Sequence, residues 1–236
     1  MAKNKLKSKQ KTYVMFVLDE SGSMQNGKDI TINSFNEQVG IVRANADKCG
    51  ETFVSFITFS DNVSPIYMNK HPDNLIELDD TNYDPDGWTA LYDAVGFGIE
   101  ELRKEEGVHD KDSAVLVVVL TDGDDNKSFK WNSHKLGSAI EDLQATGKWT
   151  FTVMGPKKGV SLLAKSLSIP TGNVAGFDPS SIADRTIARS MMANSLTSYT
   201  QSRSTGTLQA SAFYADANIN KNVGEHSTTL LDMGDK

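Results

Sequence analysis

An α/β fold with a doubly wound, mostly parallel six-stranded sheet is the fold class that the sequence predicts. Short apolar runs recur along the chain, segments with apolar residues at helical spacing separate them, and glycines follow several of those segments. Strands that alternate with amphipathic helices need parallel pairing, with helices on both faces of the sheet.

The first half of the chain predicts three strands. YVMFVLD, residues 13–19, is a continuous apolar run, which is typical of a strand buried on both faces. ETFVSFITFS is rich in β-branched and aromatic residues and predicts the second strand. VSPIYM follows a short turn, and because Pro65 is tolerated only at an edge or a bulge, we expect an antiparallel edge strand there. A helix that stops at Gly50 joins the first two strands, with this apolar stripe: Ile32, Phe35, Val39, Val42 and Ala46.

The second half repeats the alternation of helix and strand. A helix is predicted to begin near Thr89 and to end at Gly107, followed by the most apolar strand, SAVLVVVLTDG, which suits the centre of the sheet. A second helix precedes the strand WTFTVMG, and a short helix precedes the strand NVAGF. The last helix is predicted over residues 179–195, with an apolar face formed by Ile182, Ile187 and Met191.

Right-handed crossovers leave few arrangements for these strands, and the simplest is a Rossmann-like sheet in the order 3-2-1-4-5-6. Ligands bind such sheets beyond the carboxyl ends of the strands, where the winding direction reverses. That point lies between the first and fourth strands, which end in LDESGS and LTDGDDN. We therefore expect Asp19 and Asp122 side by side in one crevice, with Thr89 on the same rim.

The chain divides into three parts by composition. Residues 1–11 alternate lysine with small or polar residues and predict a basic, flexible leader. Residues 12–195 hold the predicted strands and helices. Residues 196–236 are rich in Ser, Thr and Asn, which predicts a C-terminal tail that is partly ordered or disordered. LQASAFYADANI within this tail keeps some apolar character, so its docking on the domain stays open.

Composition excludes several classes of function. The 236-residue chain has a net charge of −7, whereas a nucleic-acid-binding protein needs a basic face. No apolar run approaches the roughly 20 residues of a membrane span. The single cysteine, Cys49, rules out an internal disulfide and fits a reducing compartment, so we expect a cytoplasmic protein.

Oxygen-bearing side chains collect at the predicted crevice. FVLDESGSM places Asp19, Ser21 and Ser23 on alternate positions after the first strand, and Thr89 and Asp122 reach the same rim. Mg²⁺ prefers six oxygen ligands and usually keeps some water. Two carboxylates balance a divalent cation, and neutral hydroxyls complete its shell. A zinc site is not indicated, because the cysteine is alone and the histidines lack paired spacing.

These residues resemble the metal-ion-dependent adhesion site (MIDAS) of the von Willebrand factor type A (vWA) domain family. The family pattern is Asp-x-Ser-x-Ser, then Thr, then Asp, which matches DESGS at 19–23, Thr89 in DGWTALYDAV and Asp122 in VVVLTDGDDN. The resemblance spans roughly residues 12–190. The SGSM form and the lack of a signal peptide are similar to bacterial, intracellular or phage-borne members, including tellurite-resistance-associated proteins.

The resemblance implies a protein-binding module and not an enzyme. In such domains the serines and the threonine bind Mg²⁺ or Mn²⁺ directly or nearly so, the aspartates often act through water, and a partner protein supplies an Asp or Glu carboxylate to the open position. A Mg²⁺-dependent phosphohydrolase and a metal-independent scaffold remain alternatives. The P-loop, the dinucleotide fingerprint and the GxSxG elbow are all absent after the first strand.

The sequence leaves alternative roles open for several of these residues. Asp, Ser and Thr are also the preferred N-cap residues of helices, so each predicted ligand has a structural alternative. Trp88 is either a hydrophobic rim that contacts the partner or a packed anchor of its loop. Asp124 and Asp125 are expected to be solvated loop residues. Asp19 is expected on a rim, so that Asp19→Ala would lose cation-dependent stabilisation and keep the fold.

Overall fold

A six-stranded sheet forms the centre of the protein. The computed structural model describes residues 10–205 and 212–214. The strands run β3-β2-β1-β4-β5-β6 across the sheet, and all neighbours are parallel except β2 and β3. This arrangement confirms the predicted fold class, including the antiparallel edge. The strands are β1 (Lys11–Asp19), β2 (Glu51–Phe59), β3 (Val63–Lys70), β4 (Ser113–Leu120), β5 (Trp149–Pro156) and β6 (Val174–Phe177).

Helices cover both faces of this sheet. Within the described residues the α-helices are α1 (Lys28–Asn45), α2 (Leu91–Leu102), α3 (Ser133–Ala145), α4 (Lys157–Ser166) and α5 (Ile182–Ser204). Side chains of α2, α3 and α4 join one hydrophobic core, and side chains of α1 and α5 join the other. Successive residues of a strand point to opposite faces, so Met15 and Val17 enter the first core while Phe16 and Leu18 enter the second. This double burial explains the continuous apolar run of β1.

The edge strand β3 is irregular where the sequence predicts it. Pro65 lies opposite Ile57, and the register shifts on both sides of Phe56. Proline has no N–H to donate to a ladder, so a short, bulged edge accommodates it.

The end of α2 differs from the prediction. The helix ends at Leu102, and Gly107 lies in a separate 3₁₀ turn, Glu106–His109. A β-carbon at Gly107 would collide with the hydroxyl of Tyr13. Gly107 is therefore required by a close approach to β1 and does not terminate the helix.

The bounds and the buried face of the last helix, α5, also differ from the prediction. It begins at Ile182 and continues to Ser204, past the predicted end at residue 195. Ile182 and Ile187, predicted on its apolar face, are 72% and 57% exposed. The buried face instead mixes small, polar and apolar residues, which the apolar spacing does not reveal: Ala188, Met192, Ser195, Leu196, Tyr199, Thr200 and Arg203.

Part of the predicted tail packs on the domain. Phe213 and Tyr214 are each 2% exposed. The Phe213 N–H donates to Asn173 Oδ1 at 2.8 Å, and the Tyr214 N–H donates to the carbonyl of Gly172 at 2.8 Å. These two aromatic residues of the tail therefore dock on the domain. Residues 1–9, 206–211 and 215–236 lie outside the described residues, so the three-part division stays a prediction.

Lys11, assigned to the leader by composition, is the first residue of β1 and forms a 2.8 Å ion pair with Asp110.

Among the described residues, none of the helices combines the length and the apolar character needed to cross a bilayer.

We predict that Phe213→Ala lowers the free energy of unfolding by about 3 kcal/mol, because it leaves a cavity where a fully buried ring contacts Tyr199 and Tyr214. Chemical denaturation of the full chain measures this change. Phe129→Ala is the matched control: that ring is 84% exposed, so we expect a change within about 0.5 kcal/mol. Equal effects of the two substitutions would contradict the docking of Phe213.

Candidate metal centre

Asp19 ends β1 at the centre of the sheet, where β1 lies between β2 and β4. Its side chain is 0% exposed. Oδ1 accepts the backbone N–H of Ser21 at 2.8 Å, and Oδ2 accepts the hydroxyl of Thr121 at 2.6 Å. The Asp19 carbonyl accepts the hydroxyl of the buried Tyr83 at 2.7 Å. The expectation that Asp19 sits on a rim is therefore wrong: it is a buried charge held by hydrogen bonds.

The two serines follow Asp19 on a tight turn. Ser21 has extended backbone angles, and the 3₁₀ helix Gly22–Gly27 begins at the next residue. This turn places Ser21 Oγ 3.2 Å from Ser23 Oγ. Ser21 is 2% exposed, whereas Ser23 is exposed. The turn thus presents one hydroxyl beside the buried carboxylate and the other toward solvent.

Asp122 meets this turn from β4. The hydroxyl of Ser23 donates to Asp122 Oδ1 at 2.6 Å. Asp122 follows Thr121, the residue that donates to Asp19, so the end of β4 contacts both ends of the Asp19–Ser23 turn. The parallel pairing of Leu18 with Leu120 causes this proximity, because it brings the carboxyl ends of the two strands to the same height.

Thr89 reaches the same edge from the loop before α2. It is 4% exposed, and its hydroxyl lies close to Gly123. The distance from Thr89 Oγ1 to the position that a β-carbon on Gly123 would occupy is 4.0 Å. Its N–H donates to Asn126 Oδ1 at 2.8 Å, and its carbonyl accepts the N–H groups of Asn126 and Lys127. The loop after β4 therefore fixes Thr89 beside the residue that follows Asp122.

Gly87 holds the Thr89 loop against the serine turn. The carbonyl of Gly87 accepts the N–H of Gly22 at 3.1 Å. Gly87 has φ 80°, and a β-carbon there would collide with the carboxylate of Asp61. The backbone angle thus favours glycine at this crossing, and the Asp61 carboxylate would have to shift to admit any other residue.

The two carboxyl groups share a desolvated environment. Burial raises the pKa of Asp19, hydrogen bonds from Thr121 and Ser21 oppose that shift, and the nearby charge of Asp122 adds to it. Burial also raises the pKa of Asp122, against a hydrogen bond from Ser23. Two carboxylates that are each disfavoured in their charged form make an environment that a cation would stabilise.

The structure brings all five predicted ligands to one edge of the sheet: Asp19, Ser21, Ser23, Thr89 and Asp122. Their role as metal ligands stays a prediction. Within residues 10–205 and 212–214, no three His, Cys, Asp or Glu side chains are grouped so as to hold a metal ion. A cation at this edge would therefore depend on the hydroxyls as much as on the carboxylates.

Sequence reasoning missed the residues that hold this site together. Thr121, directly before Asp122 in LTDGDDN, is not among the predicted ligands, yet its hydroxyl donates to the Asp19 carboxylate. Asp125, expected to be solvated, accepts the N–H of Tyr92 and the hydroxyl of Ser128, so that interpretation is wrong. Asp124 is exposed, in agreement with the expectation.

Asp93 and Trp88, two other residues near Thr89, have different surroundings. Asp93 is 6% exposed, and its carboxylate accepts the N–H groups of residues 129–131. It therefore fixes the loop that carries Asn126. Trp88 is 60% exposed, which favours the exposed rim over the packed anchor, and its contact with a partner stays a prediction.

Solved structures of other proteins are similar to this chain at low sequence identity. The PilB minor pilin from Streptococcus sanguinis is 16% identical with a TM-score of 0.56, over 83% of this chain and 63% of that one. The ArnB paralog VWA2 from Sulfolobus acidocaldarius is 19% identical with a TM-score of 0.49, over 80% and 44%. The manganese-loaded Plasmodium vivax TRAP protein is 14% identical with a TM-score of 0.49, over 72% and 69%. This chain thus spans less than two thirds of the first two. At 16% identity the pilin, whose TM-score is above 0.5, shows the fold alone, and no argument is drawn from the other two.

No curated protein matches this chain in sequence. The family model of the von Willebrand factor type A domain matches residues 14–167, which is more than half of the chain. That range contains every residue of the candidate site. The chain belongs to the von Willebrand factor type A domain family.

Proposed function

We propose that this protein is a metal-dependent protein-binding module. Mg²⁺ or Mn²⁺ would be held by Asp19, Ser21, Ser23, Thr89 and Asp122, and a partner protein would supply an Asp or Glu carboxylate to the remaining position. The observation that carries this proposal is the run of close oxygen contacts from Ser21 through Ser23 to Asp122, beside a buried carboxylate.

The donor set fits a hard divalent cation. Octahedral Mg²⁺ with ligands at about 2.0–2.1 Å places neighbouring ligand oxygens about 3 Å apart. Ser21 Oγ and Ser23 Oγ are 3.2 Å apart, and Ser23 Oγ and Asp122 Oδ1 are 2.6 Å apart. All donors are oxygens and two are carboxylates, so the charge of a divalent cation would be matched. Family membership supports the same reading, since these residues follow the pattern of the adhesion site.

Asp19, Ser23 and Asp122 have distinct tasks in this proposal. Asp19 supplies a negative charge that Thr121 and the Ser21 N–H hold in one orientation. Ser23 and Asp122 stand at the accessible side, where a partner can approach. The cation, when bound, offers a Lewis-acidic position to the incoming carboxylate. Partner contact excludes water and strengthens this attraction.

The proposal has further parts that rest on sequence. We infer that the protein does not bind nucleic acid or membranes, is not an enzyme, and resides in the cytoplasm. The narrower resemblance to bacterial or phage-borne intracellular members, including tellurite-resistance-associated proteins, also stays a prediction. The sequence suggests no general base other than the ligands for the phosphohydrolase alternative. Two of the described histidines make their hydrogen bonds elsewhere, His71 with Asp73 and His109 with the carbonyl of Arg103.

We predict that Asp19→Asn abolishes stabilisation by Mg²⁺ without unfolding the metal-free protein. The amide oxygen can still accept the Ser21 N–H, and the amide nitrogen can donate to Thr121 Oγ1, whose proton can go to the Gly123 carbonyl at 3.1 Å. In the wild type, Mg²⁺ at 100 times its Kd should add about 2.7 kcal/mol to the free energy of unfolding. Thermal melts with Mg²⁺ and with EDTA measure both quantities. An equal Mg²⁺ shift in both proteins would place the metal elsewhere.

Asp19→Ala should behave differently from Asp19→Asn in EDTA. Alanine leaves the buried N–H of Ser21 without an acceptor, so we expect the metal-free protein to lose about 1–3 kcal/mol. Denaturation of the two variants side by side tests this. Identical stability would mean that Asp19 is not a structural acceptor.

Partner capture separates the proposed function from its alternatives. Pull-downs from the native host, divided between Mg²⁺ and EDTA, should retain a partner only in Mg²⁺, and Ser21→Ala should lose it. Unchanged capture in EDTA would instead support a scaffold. The same protein should not hydrolyse a panel of phosphoesters, and turnover that vanishes in Asp19→Asn would establish the phosphohydrolase and overturn the proposal.

A further inference from the structure

A segment that carries three lysines and two aromatic residues adjoins the candidate metal centre. We call residues 126–135, NKSFKWNSHK, the basic segment; it contains no Asp or Glu, although the chain has a net charge of −7. The N–H groups of Asn126 and Lys127 donate to the Thr89 carbonyl at 3.0 and 3.2 Å. The basic segment therefore begins directly beside a predicted metal ligand.

Contacts with α2 hold the basic segment in place. The buried carboxylate of Asp93 accepts the N–H groups of residues 129–131 at 2.7–3.0 Å. The Trp131 ring packs so closely on Gly96 that a β-carbon there would lie 2.4 Å from it. The Lys135 ammonium lies 3.9 Å from the centroid of the same ring. Binding to this segment would thus restrict little further backbone freedom, which lowers the free-energy cost of association.

Phe129 and Lys130 present an apolar ring and a cation to solvent. Phe129 is 84% exposed. Lys130 is exposed, and its ammonium forms no ion pair in the part of the chain that the structure describes, whereas Lys127 lies 3.3 Å from the Asp61 carboxylate. Apolar area left in water gains no hydrophobic stabilisation, so packing of the fold gives no reason for a fixed ring at this position. Aromatic side chains are enriched where proteins bind each other, which makes a contact with another protein the better explanation.

A segment of opposite charge lies on the other side of the candidate metal centre. We call residues 79–86 the acidic segment; it contains no Lys or Arg and has four exposed aspartates: Asp79, Asp80, Asp84 and Asp86. The Asp86 N–H donates to the Glu20 carbonyl at 2.9 Å, and Lys28 of α1 lies 3.7 Å from Asp84. Because α1 and α2 cover opposite faces of the sheet, the two segments flank the centre from opposite faces.

This charge pattern favours a short acidic peptide over a nucleic acid. Nucleic acids bind through many phosphate contacts along a continuous basic surface. The acidic segment interrupts such a surface here, and two of the three lysines of the basic segment are already engaged, with Asp61 and with the Trp131 ring. A peptide can place one acidic side chain on the basic segment and keep clear of the aspartates beyond the metal, so it matches the charge distribution.

We propose that the basic segment is a second contact surface for the partner protein, with an acidic side chain bound at Lys130 and an apolar side chain at Phe129. This inference rests on the proposed function and gives the partner a motif. On one side of the Asp or Glu that binds the metal, the partner carries a further acidic residue and a large apolar residue.

The spacing of this motif follows from the distance between the two contacts. From Lys127, which contacts Thr89, the chain to Phe129 spans at most about 7 Å, because an extended chain advances about 3.3–3.6 Å per residue. We therefore expect both residues of the motif within about four positions of the metal-binding carboxylate.

A displayed library of short peptides, with one fixed aspartate and random flanking positions, tests this motif. The full chain is immobilised, and peptides are selected in Mg²⁺ at low salt, where exposed charges are screened least. We expect Asp or Glu together with Leu, Met or Phe to be enriched on one side of the fixed aspartate. Recovery of no peptide, or of peptides without enriched acidic residues, would overturn the inference.

A charge reversal locates the acidic contact. Lys130→Glu turns an attraction into a repulsion and should weaken binding of a selected peptide about fivefold or more at low salt. Lys111→Glu is the matched control, because this exposed lysine precedes β4 at the opposite end of the sheet. It changes the net charge equally and should leave binding unchanged.

A truncation locates the apolar contact. Phe129→Ala should weaken binding of the selected peptide about tenfold, as expected for an aromatic side chain that a partner covers. Ile76→Ala is the matched control: this side chain is 58% exposed, and its neighbours Leu75 and Leu78 enter the core on the α1 side of the sheet. It should leave binding unchanged.

The outcomes distinguish the two proposals. Binding that needs Mg²⁺ but falls equally in Lys130→Glu and Lys111→Glu, or in neither, would overturn the inference about the basic segment and leave the proposed function in place. Binding that persists in EDTA and in Asp19→Asn, yet falls in Lys130→Glu alone, would overturn the metal-dependent function and keep the basic segment as a surface for acidic peptides.

A fluorescent single-stranded oligonucleotide tests the competing class of partner. Titrated under the same conditions, it should not bind the full chain. Binding that is lost in Lys130→Glu and kept in Lys111→Glu would make the basic segment a nucleic-acid site and overturn the inference.

Discussion

The site depends on one constraint, the parallel register of β1 with β4. Pairing of Leu18 with Leu120 brings Asp19 and Thr121 to the same edge of the sheet, where the Thr121 hydroxyl donates to the buried carboxylate at 2.6 Å. A slip of one residue would turn Asp19 to the other face of the sheet, because side chains alternate along a strand. Burial of the flanking apolar residues in two cores fixes the register, so the same hydrophobic contacts that stabilise the fold also place the candidate ligands.

Much of this could be predicted from the sequence. The strand order follows from alternating strands and helices together with right-handed crossovers, and Pro65 identifies the edge. The meeting of Asp19 with Asp122 follows in turn, because parallel strands bring their carboxyl ends to one edge. Local rules of this kind work where a single strong preference, apolar burial, decides the outcome.

Features that depend on tertiary contact were not predicted. The buried face of α5 contains Ser195, Thr200 and Arg203, which no apolar pattern selects. Arg203 is buried at the other end of the sheet, where it donates to the carbonyls of Lys11 and Asp112. Asp125 and Asp93 act by accepting N–H groups distant in sequence, and Asp19 is buried because loops close over the end of β1. Spacing does not encode such long-range hydrogen bonds.

Diffraction from crystals grown with Mn²⁺, measured at the manganese absorption edge, tests the central claim most directly. We expect an anomalous peak within coordination distance of Ser21 Oγ and Ser23 Oγ, beside Asp19 and Asp122. A strong peak elsewhere on the chain with none at these oxygens, or no peak at saturating Mn²⁺, would contradict it.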